Sequence, residues 1–520
     1  MNDASAAPNN QRVILIVIAL VSSLVMLDSN VVAVALPTIA SSLNADFADV
    51  QWVITAYVLP FAALLLAAGS FGDKVGRRFS AILGMIIFGL ASLSCGLAIS
   101  PLMLNISRAV QGVGAALLLT ASLAVINHTF QGAERAKAYA FWGASLGVAI
   151  TCGPIIGGVI SSAFGWTWAF LINVPICTIL VVATIKVIPE SRDPDAKGLD
   201  YLGILTFSSG LFLLTWAVID GNALGWMAPA VVWRVLGGVV LLTLFVFVEK
   251  RQADPMVDFE IFRSRNFGGT AFAMVGYAAG AQVMIFYLPL YLQNAFGFSP
   301  VIAGISMLPF ALPMFLIPRL GARLTWAPRS IISLGLCITA GGNIVMALLS
   351  GADASYYEFA AAMIIAGTGA GILNGETAKA MQGALPANRS GVASGIASTT
   401  RFTALLFGVA ALGAILGTTM IKKFMPIAQT IGLAPSDAVE IAKRFSAGDA
   451  ALVLSKLPLD LQKSVAASLR TAFEAGFGGA TWTAAGVAIV SLVMTQLLMS
   501  KSNPQLPSKQ ESEASFVAGE

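Results

Sequence analysis

Asp28 stands in the middle of an apolar run from Val13 to Ile39, and Arg108 stands inside another that begins near Leu102. A carboxylate in lipid costs roughly 2.5–3.5 kcal/mol on insertion scales, so it must face a partner or a cavity. With a helical rise of about 1.5 Å per residue, Asp28 lies about 22 Å from one membrane face and Arg108 about 9 Å from the other. In a hydrocarbon core of about 30 Å these depths nearly coincide. Contact with Arg108 would hold Asp28 ionised, and a proton or a cationic solute would compete for it. That is the chemistry of a reversible proton site. The same two residues also suit a static pair that fixes two helices together.

Weaker candidates share the apolar background. Arg401 falls near mid-depth of its run without an evident acidic partner, and Glu376 falls near the end of another. Asn374 and Gln111 could line a cavity, Gln293 its mouth, or each could bond a neighbouring helix. Asp220 closes a run and reads as solvated. Trp52, Tyr57, Phe61, Phe286 and Tyr287 are candidates for an aromatic wall, with a lipid-facing position as the alternative. Metal chemistry has little to stand on: Cys95, Cys152, Cys177 and Cys337 lack ligand spacing, and His128 is the only histidine.

The elements that must carry these side chains follow from composition. The chain has 520 residues, 57% hydrophobic and 11% charged, with mean hydropathy +0.83. Soluble domains carry roughly 25% charged residues. Charge this sparse cannot coat a water-facing globule, so lipid is the solvent for most of the surface. The net charge of +4 is too small to suggest nucleic acid as a partner. Fourteen runs are long enough to span, near 13–36, 51–70, 81–100, 102–126, 138–162, 167–187, 201–220, 231–249, 269–293, 299–318, 330–350, 357–377, 391–419 and 477–499. The first is too long for a signal peptide and contains Asp28, so it reads as an uncleaved span.

Loop charge orients them. With the N-terminus inside, the inward loops hold Lys74, Arg77 and Arg78, then Arg135 and Lys137, then Arg192 and Lys197. Next come Lys250, Arg251, Arg263 and Arg265, then Arg319, Arg323 and Arg329, then Lys379 and Arg389, and finally Lys501 and Lys509 in the tail. The short outward loops at 44–50 and 351–356 have no Lys or Arg. This is the positive-inside pattern, with both termini cytoplasmic. Residues 421–475 carry seven basic residues yet lie outside, which long loops tolerate. Their apolar periodicity at Leu452, Leu454, Leu457, Leu459 and Leu461 predicts short amphipathic helices on the outer surface. The polar tail 501–520 reads as disordered.

The chain also repeats itself. Pro37, Pro60 and Gly72 are spaced by 23 and 12 residues, and Pro289, Pro309 and Gly321 by 20 and 12. The second proline in each set centres a Leu-Pro-Phe tripeptide, Leu59 to Phe61 and Leu308 to Phe310. Spans 1–6 therefore map onto spans 9–14. The expected fold is all-α and membrane-integral: two six-helix bundles, 1–190 and 266–500, joined by 191–265 with spans 7 and 8 inserted. Paired bundles facing a central cavity are a transporter plan.

The loop after span 2 reads Gly69, Ser70, Phe71, Gly72, Asp73, Lys74, Val75, Gly76, Arg77, Arg78. A tight hairpin at the membrane surface needs small and basic residues, but not an acid between glycines with an arginine pair after it. This string resembles the signature loop of the major facilitator superfamily. The resemblance implies that Asp73, Arg77 and Arg78 form a cytoplasmic latch that holds two halves closed inside while the outside opens. Leu27 to Pro37 resembles the first-span motif of 14-helix drug:proton antiporters, with Asn30 and Ala33 where the family commonly has Thr and Asn. Arg108, Gln111, Gly112 and Gly114 are similar to its span 4 motif. Gly147 with Gly153, Pro154, Gly157 and Gly158 resembles the span 5 motif that marks antiporters. Phe170 to Pro175 fits the start of span 6, with Ala169 replacing an aromatic. The glycines let helices approach closely, and Pro154 weakens the helix ladder there.

No phosphate-binding Gly-rich string ending in Gly-Lys-Ser/Thr is present, and no inward loop could hold a nucleotide-binding domain. Transport would draw on an ion gradient, with no cofactor and no nucleotide. The expectation is a monomeric exporter in a bacterial inner membrane that exchanges protons for amphipathic, cationic drugs. A dedicated exporter of one metabolite, siderophore or antibiotic is the alternative. A membrane enzyme or sensor is the third reading, and it lacks a catalytic constellation.

Overall fold

The computed structural model describes residues 8–193, 200–252, 257, 259–321, 326–351, 353–384, 390–448 and 459–500. Lys197, Arg323, Arg389, Leu452, Leu454, Leu457, Lys501, Lys509 and the tail 501–520 lie outside the described residues.

Among the described residues, fourteen helices are long and apolar enough to cross a membrane: Asn10–Leu43, Phe47–Val75, Arg77–Gly96, Pro101–Thr129, Lys137–Ala163, Trp168–Val187, Tyr201–Gly221, Pro229–Glu249, Arg265–Asn294, Pro300–Pro318, Pro328–Leu349, Tyr356–Gly383, Gly395–Thr430 and Leu461–Leu498. These are spans 1 to 14. Their starts follow local chemistry. Proline, whose missing N–H costs nothing there, opens spans 4, 8, 10 and 11. Side-chain oxygens of Asp46, Ser100, Ser299 and Ser355 cap spans 2, 4, 10 and 12. The face where span 1 begins is called the basic face below, and the opposite one the far face.

The internal repeat is visible as packing. Span 4 packs on spans 2 and 3, and span 12 packs on spans 10 and 11; span 3 meets span 6 as span 11 meets span 14. Between the halves, span 2 packs on span 13 and span 5 on span 10, a reciprocal exchange, while span 1 meets span 9. Spans 7 and 8 pack on each other, and span 7 reaches spans 2 and 13. Only 17% of the apolar window of span 8 is buried, so its surface belongs to lipid. Asp220 is not simply solvated, as its position suggested: it accepts from Arg234 of span 8 at 2.7 Å. Trp52 turns toward Phe212 of span 7 rather than toward the interior wall expected for it. At the other end of the inserted pair, Asp200 caps span 7 on the Gly203 amide. Burial alone would raise its carboxyl, but hydrogen bonds with Glu249, Gly203 and Gln252 hold it below the ordinary value.

The expected outer loop 421–475 is mostly helix. Span 13 continues to Thr430, and the helix of span 14 already begins at Leu459. Between them lies an amphipathic helix, Pro435–Ala447. It rests across the far-face ends of spans 1, 2, 9 and 13, and Asn294 of span 9 donates to the Phe445 carbonyl at 3.2 Å. Thus one amphipathic helix among the described residues of 421–475 touches both halves.

Candidate functional site

Asp28 is 1% exposed and Arg108 is 1% exposed. Arg108 Nη1 donates to Asp28 Oδ2 at 2.6 Å, so the depth argument from the two apolar runs identifies a real contact. The opposite Asp28 oxygen accepts from Gln111 Nε2 at 2.9 Å and from Asn173 Nδ2 at 2.8 Å. Gln111 also accepts from Arg108 at 2.7 Å and donates to Ser92 at 2.7 Å. Arg108 Nε donates to the Val53 carbonyl of span 2 at 3.0 Å, and its guanidinium lies 4.1 Å over the Tyr57 ring. Five spans, 1, 2, 3, 4 and 6, converge on one carboxylate. Such a charge is tolerable at this depth because every part of it is hydrogen-bonded.

Gln111 takes the second of its two expected roles: it bonds neighbouring helices, at Asp28 of span 1 and Ser92 of span 3, within the carboxylate cluster. Tyr57, 2% exposed, packs on Arg108 and donates to the Val25 carbonyl. Ser92 was not singled out from the sequence, and Asn173 entered only within the Phe170–Pro175 motif match, without a role of its own. Asn173 begins the second part of span 6, just after the helix breaks at Ile172; an amide in an apolar run was the available signal.

A second polar cluster occupies the other half. Arg401 Nε donates to Gln282 Oε1 at 2.8 Å and Nη2 to the Tyr277 hydroxyl at 3.0 Å. Tyr277 donates in turn to Asn374 Oδ1 at 2.8 Å. The structure therefore joins Arg401 and Asn374, and it adds Tyr277, just before a short π-helical segment, Ala278–Gln282, and Gln282, its last residue. Glu376 stands apart, paired with Lys379 at 2.8 Å. The two clusters communicate through rings: Tyr57 meets Phe61, Phe61 meets Phe402 at 4.3 Å between centroids, and Arg401 lies 5.6 Å over Phe402.

The glycine motif of span 5 seals the halves on the far side. A methyl added at Gly157 would come within 2.7 Å of the Val31 carbonyl of span 1, and one at Gly158 would overlap the Pro300 carbonyl of span 10. Gly153 abuts Asn30 and Gly147 abuts Phe315, while the Pro154 carbonyl packs against Gly304. Asn30 donates to the Met26 carbonyl at 2.7 Å on its own helix. Gln293 of span 9 donates to the Val34 carbonyl at 3.1 Å, and Gln51 reaches the carbonyls of Val409 and Ala410 at 3.4 Å. These bonds tie span 1 to span 9 and span 2 to span 13.

At the basic face, Asp73 pairs with Arg77 at 2.9 Å. Arg78 and Phe79 donate backbone amides to Glu190 at 3.1 and 3.2 Å. The Arg77 amide donates to the Ser191 carbonyl at 2.9 Å, and the Asp193 amide to the Asp73 carbonyl at 3.0 Å. Gly76 has φ +129, where any side chain would be strained and would strike Glu190. Gly72 lies against Ser80, and Gly69 faces open space. Among the described residues, the contacts of Asp73, Arg77 and Arg78 are with the first half and with the start of the linker that follows it, at Ser191 and Asp193.

The sequence profile of the Major Facilitator Superfamily matches residues 18–409. The chain belongs to the major facilitator superfamily. Its superfamily relatives include the multidrug efflux pump LfrA of Mycolicibacterium smegmatis, 31% identical over 472 residues that cover 90% of this chain and 92% of that one. The multidrug resistance protein Stp of Mycobacterium tuberculosis is 30% identical, covering 78% and 75%. The tetracenomycin C resistance and export protein of Streptomyces glaucescens is 29% identical, covering 94% and 92%. A bacterial homologue of the human lysosomal transporter Spinster, solved in an inward-facing and unoccupied conformation, aligns with a TM-score of 0.64 at 16% identity, covering 96% of this chain and all of that one. At that identity the likeness shows the superfamily fold. The chain is thus a multi-pass membrane transporter by family and architecture, and its relatives are drug and antibiotic resistance exporters.

Proposed function

We propose that this protein exports amphipathic drugs by alternating access and exchanges them for protons at Asp28. The observation that carries this reading is the buried carboxylate held by Arg108, Gln111 and Asn173 where five spans meet. Protonation of Asp28 would release Arg108 and loosen the tie between spans 1 and 4, the change an exchange cycle needs. A cationic cargo can compete at Asp28 only by displacing one of its three donors. The basic face is cytoplasmic on this reading, the membrane is the bacterial inner membrane, and the protein works as a monomer without cofactor. Each proton moved inward supplies about 2.3 kcal/mol per 100 mV, plus the pH gradient.

The latch residues Asp73, Arg77 and Arg78 would engage the second half when the far face opens. The far face is closed here by span 5 on span 10, by Gln293 and by the helix Pro435–Ala447. A dedicated exporter of one compound is the second reading, supported by the relative named for tetracenomycin C.

Everted vesicles carrying a proton gradient test the proposal. Addition of members of a panel of lipophilic cations and neutral amphiphiles should discharge the gradient with the wild type. Asp28→Asn should bind the same compounds and discharge nothing. If Asp28→Asn matches the wild type, the assignment of the coupling site fails; if no compound has any effect on the wild type, the multidrug reading fails.

A further inference from the structure

At mid-depth the first half is electrically balanced and the second is not. Asp28 and Arg108 cancel each other within a closed set of hydrogen bonds. Arg401 is half-buried, and the acceptors it uses, Gln282 and Tyr277, are neutral. Tyr277 donates its own hydrogen bond to Asn374, so this chain of bonds orients the guanidinium without reducing its charge. A guanidinium carries five N–H donors; Nη1 has no acceptor among the described residues, and no described acid pairs with Arg401. Glu376, two residues beyond Asn374 on span 12, is committed to Lys379.

Three further features place this cation at a working position. Its partners stand at the two ends of the π-helical segment of span 9, Tyr277 just before it and Gln282 as its last residue, a distortion that recurs at functional sites. Its planar group lies 4.9 Å from the Tyr277 ring and 5.6 Å from the Phe402 ring. Phe402 in turn meets Phe61 of the opposite half. An intramembrane cation with no described counter-charge, beside a buried aromatic pair where the halves meet, suits a flat molecule bearing a negative charge once the Phe61–Phe402 contact opens.

We infer that Arg401 anchors an ionised acidic group, in the simplest case a carboxylate, carried on an aromatic scaffold that packs against Phe61 and Phe402. This inference rests on the export reading and gives its cargo a sign opposite to the one expected from Asp28. The exchange is also favoured energetically: a proton moving in and an anion moving out each descend an inside-negative potential by about 2.3 kcal/mol per 100 mV.

A matched set of anthracene probes tests it on the purified full-length protein by fluorescence anisotropy: 9-anthracenecarboxylate, 9-anthracenecarboxamide and 9-(aminomethyl)anthracene. The wild type should bind the carboxylate about tenfold more tightly than the amide, the size of a charge-assisted fork. Arg401→Gln should level the two while leaving the amide within about twofold, and Arg401→Lys should keep about a threefold preference, since it retains charge but not the fork. A wild type with no preference for the carboxylate overturns the inference without recourse to any variant. So does an Arg401→Gln protein that loses all three probes equally, because that marks a structural tie between spans 9 and 13. Everted vesicles that exchange protons for the amine but not the carboxylate overturn it too, and leave the export reading standing.

Discussion

The two polar clusters are built from similar parts and end in opposite conditions. In the first half an arginine meets an acid, and amides fill the remaining valences of the carboxylate. In the second half an arginine meets an amide and a phenol, and no described acid. The first cluster has an internal counter-charge and needs nothing from outside to stay buried. The second is oriented but not neutralised, so it has a reason to accept something. Between them run Tyr57, Phe61 and Phe402, a line of ring contacts that crosses the seam of the halves.

Removing one side of a buried pair strands the other charge, whereas removing a cation held by neutral groups strands none. Arg108→Gln should therefore destabilise the protein by about 3–5 kcal/mol, read as a fall in Tm in detergent. Adding Asp28→Asn to it should recover part of the loss, since the orphaned charge is gone. Arg401→Gln should cost much less, about 1 kcal/mol for hydrogen bonds between polar partners. Equal losses from the two arginine substitutions would erase the distinction between the clusters.

The next effect concerns how the halves close around those clusters. Gly158→Leu must fit a side chain where even a methyl overlaps the Pro300 carbonyl. Overpacking of this kind costs about 1–3 kcal/mol, and here the cost falls on the state with the far face shut. With Gln293→Cys as the reporter, labelling from the far side should rise when Gly158→Leu is added, because spans 1 and 9 then part more often at the point where position 293 meets Val34. Unchanged labelling would show that span 5 does not control closure.

Much of this was legible before any coordinates, and the reasons are physical. Lipid forbids unpaired backbone, so fourteen apolar runs became fourteen helices. Asp28 and Arg108 were found because intramembrane charge is rare and helical rise fixes depth. What the sequence hid depends on rotation about helix axes. Whether Gln111 faces a cavity or Asp28, or whether Trp52 faces the interior or span 7, needs the packing angle of each span. Asp220 looked solvated because its partner, Arg234, sits on the next span, fourteen residues on. Within 421–475 the leucine periodicity at 452–461 pointed to short amphipathic helices, whereas the described one, Pro435–Ala447, lies upstream of it, and nothing local said that the helices of spans 13 and 14 would run on so far past their apolar runs.

A smaller effect probes the ring bridge. In a double-mutant cycle, Phe61→Leu and Phe402→Leu should show a coupling of about 0.5–1.5 kcal/mol, the usual worth of an aromatic pair beyond its area. The thermal stability of the two singles and the double measures it. Additive losses would mean that the rings merely fill space, and the two clusters would then act independently.

The smallest expected effect lies in the inserted pair and sets the scale for the rest. Arg234 lies 3.9 Å over the Trp216 ring and 2.7 Å from Asp220, joining spans 7 and 8 near the far face. It resembles Arg108 in having both an acid and a ring, yet it is partly exposed, at 18% for the side chain against 2%. Exposure lets water and ions screen the charge, so the pair should contribute no more than about 1 kcal/mol, and Arg234→Gln should leave proton-linked transport at the wild-type level. Raising the salt concentration should narrow even that difference in Tm, while the Arg108 loss stays as it was. A large, salt-independent effect at Arg234 would mean that burial is not what separates the working cluster from an ordinary ion pair, and that spans 7 and 8 take part in the cycle.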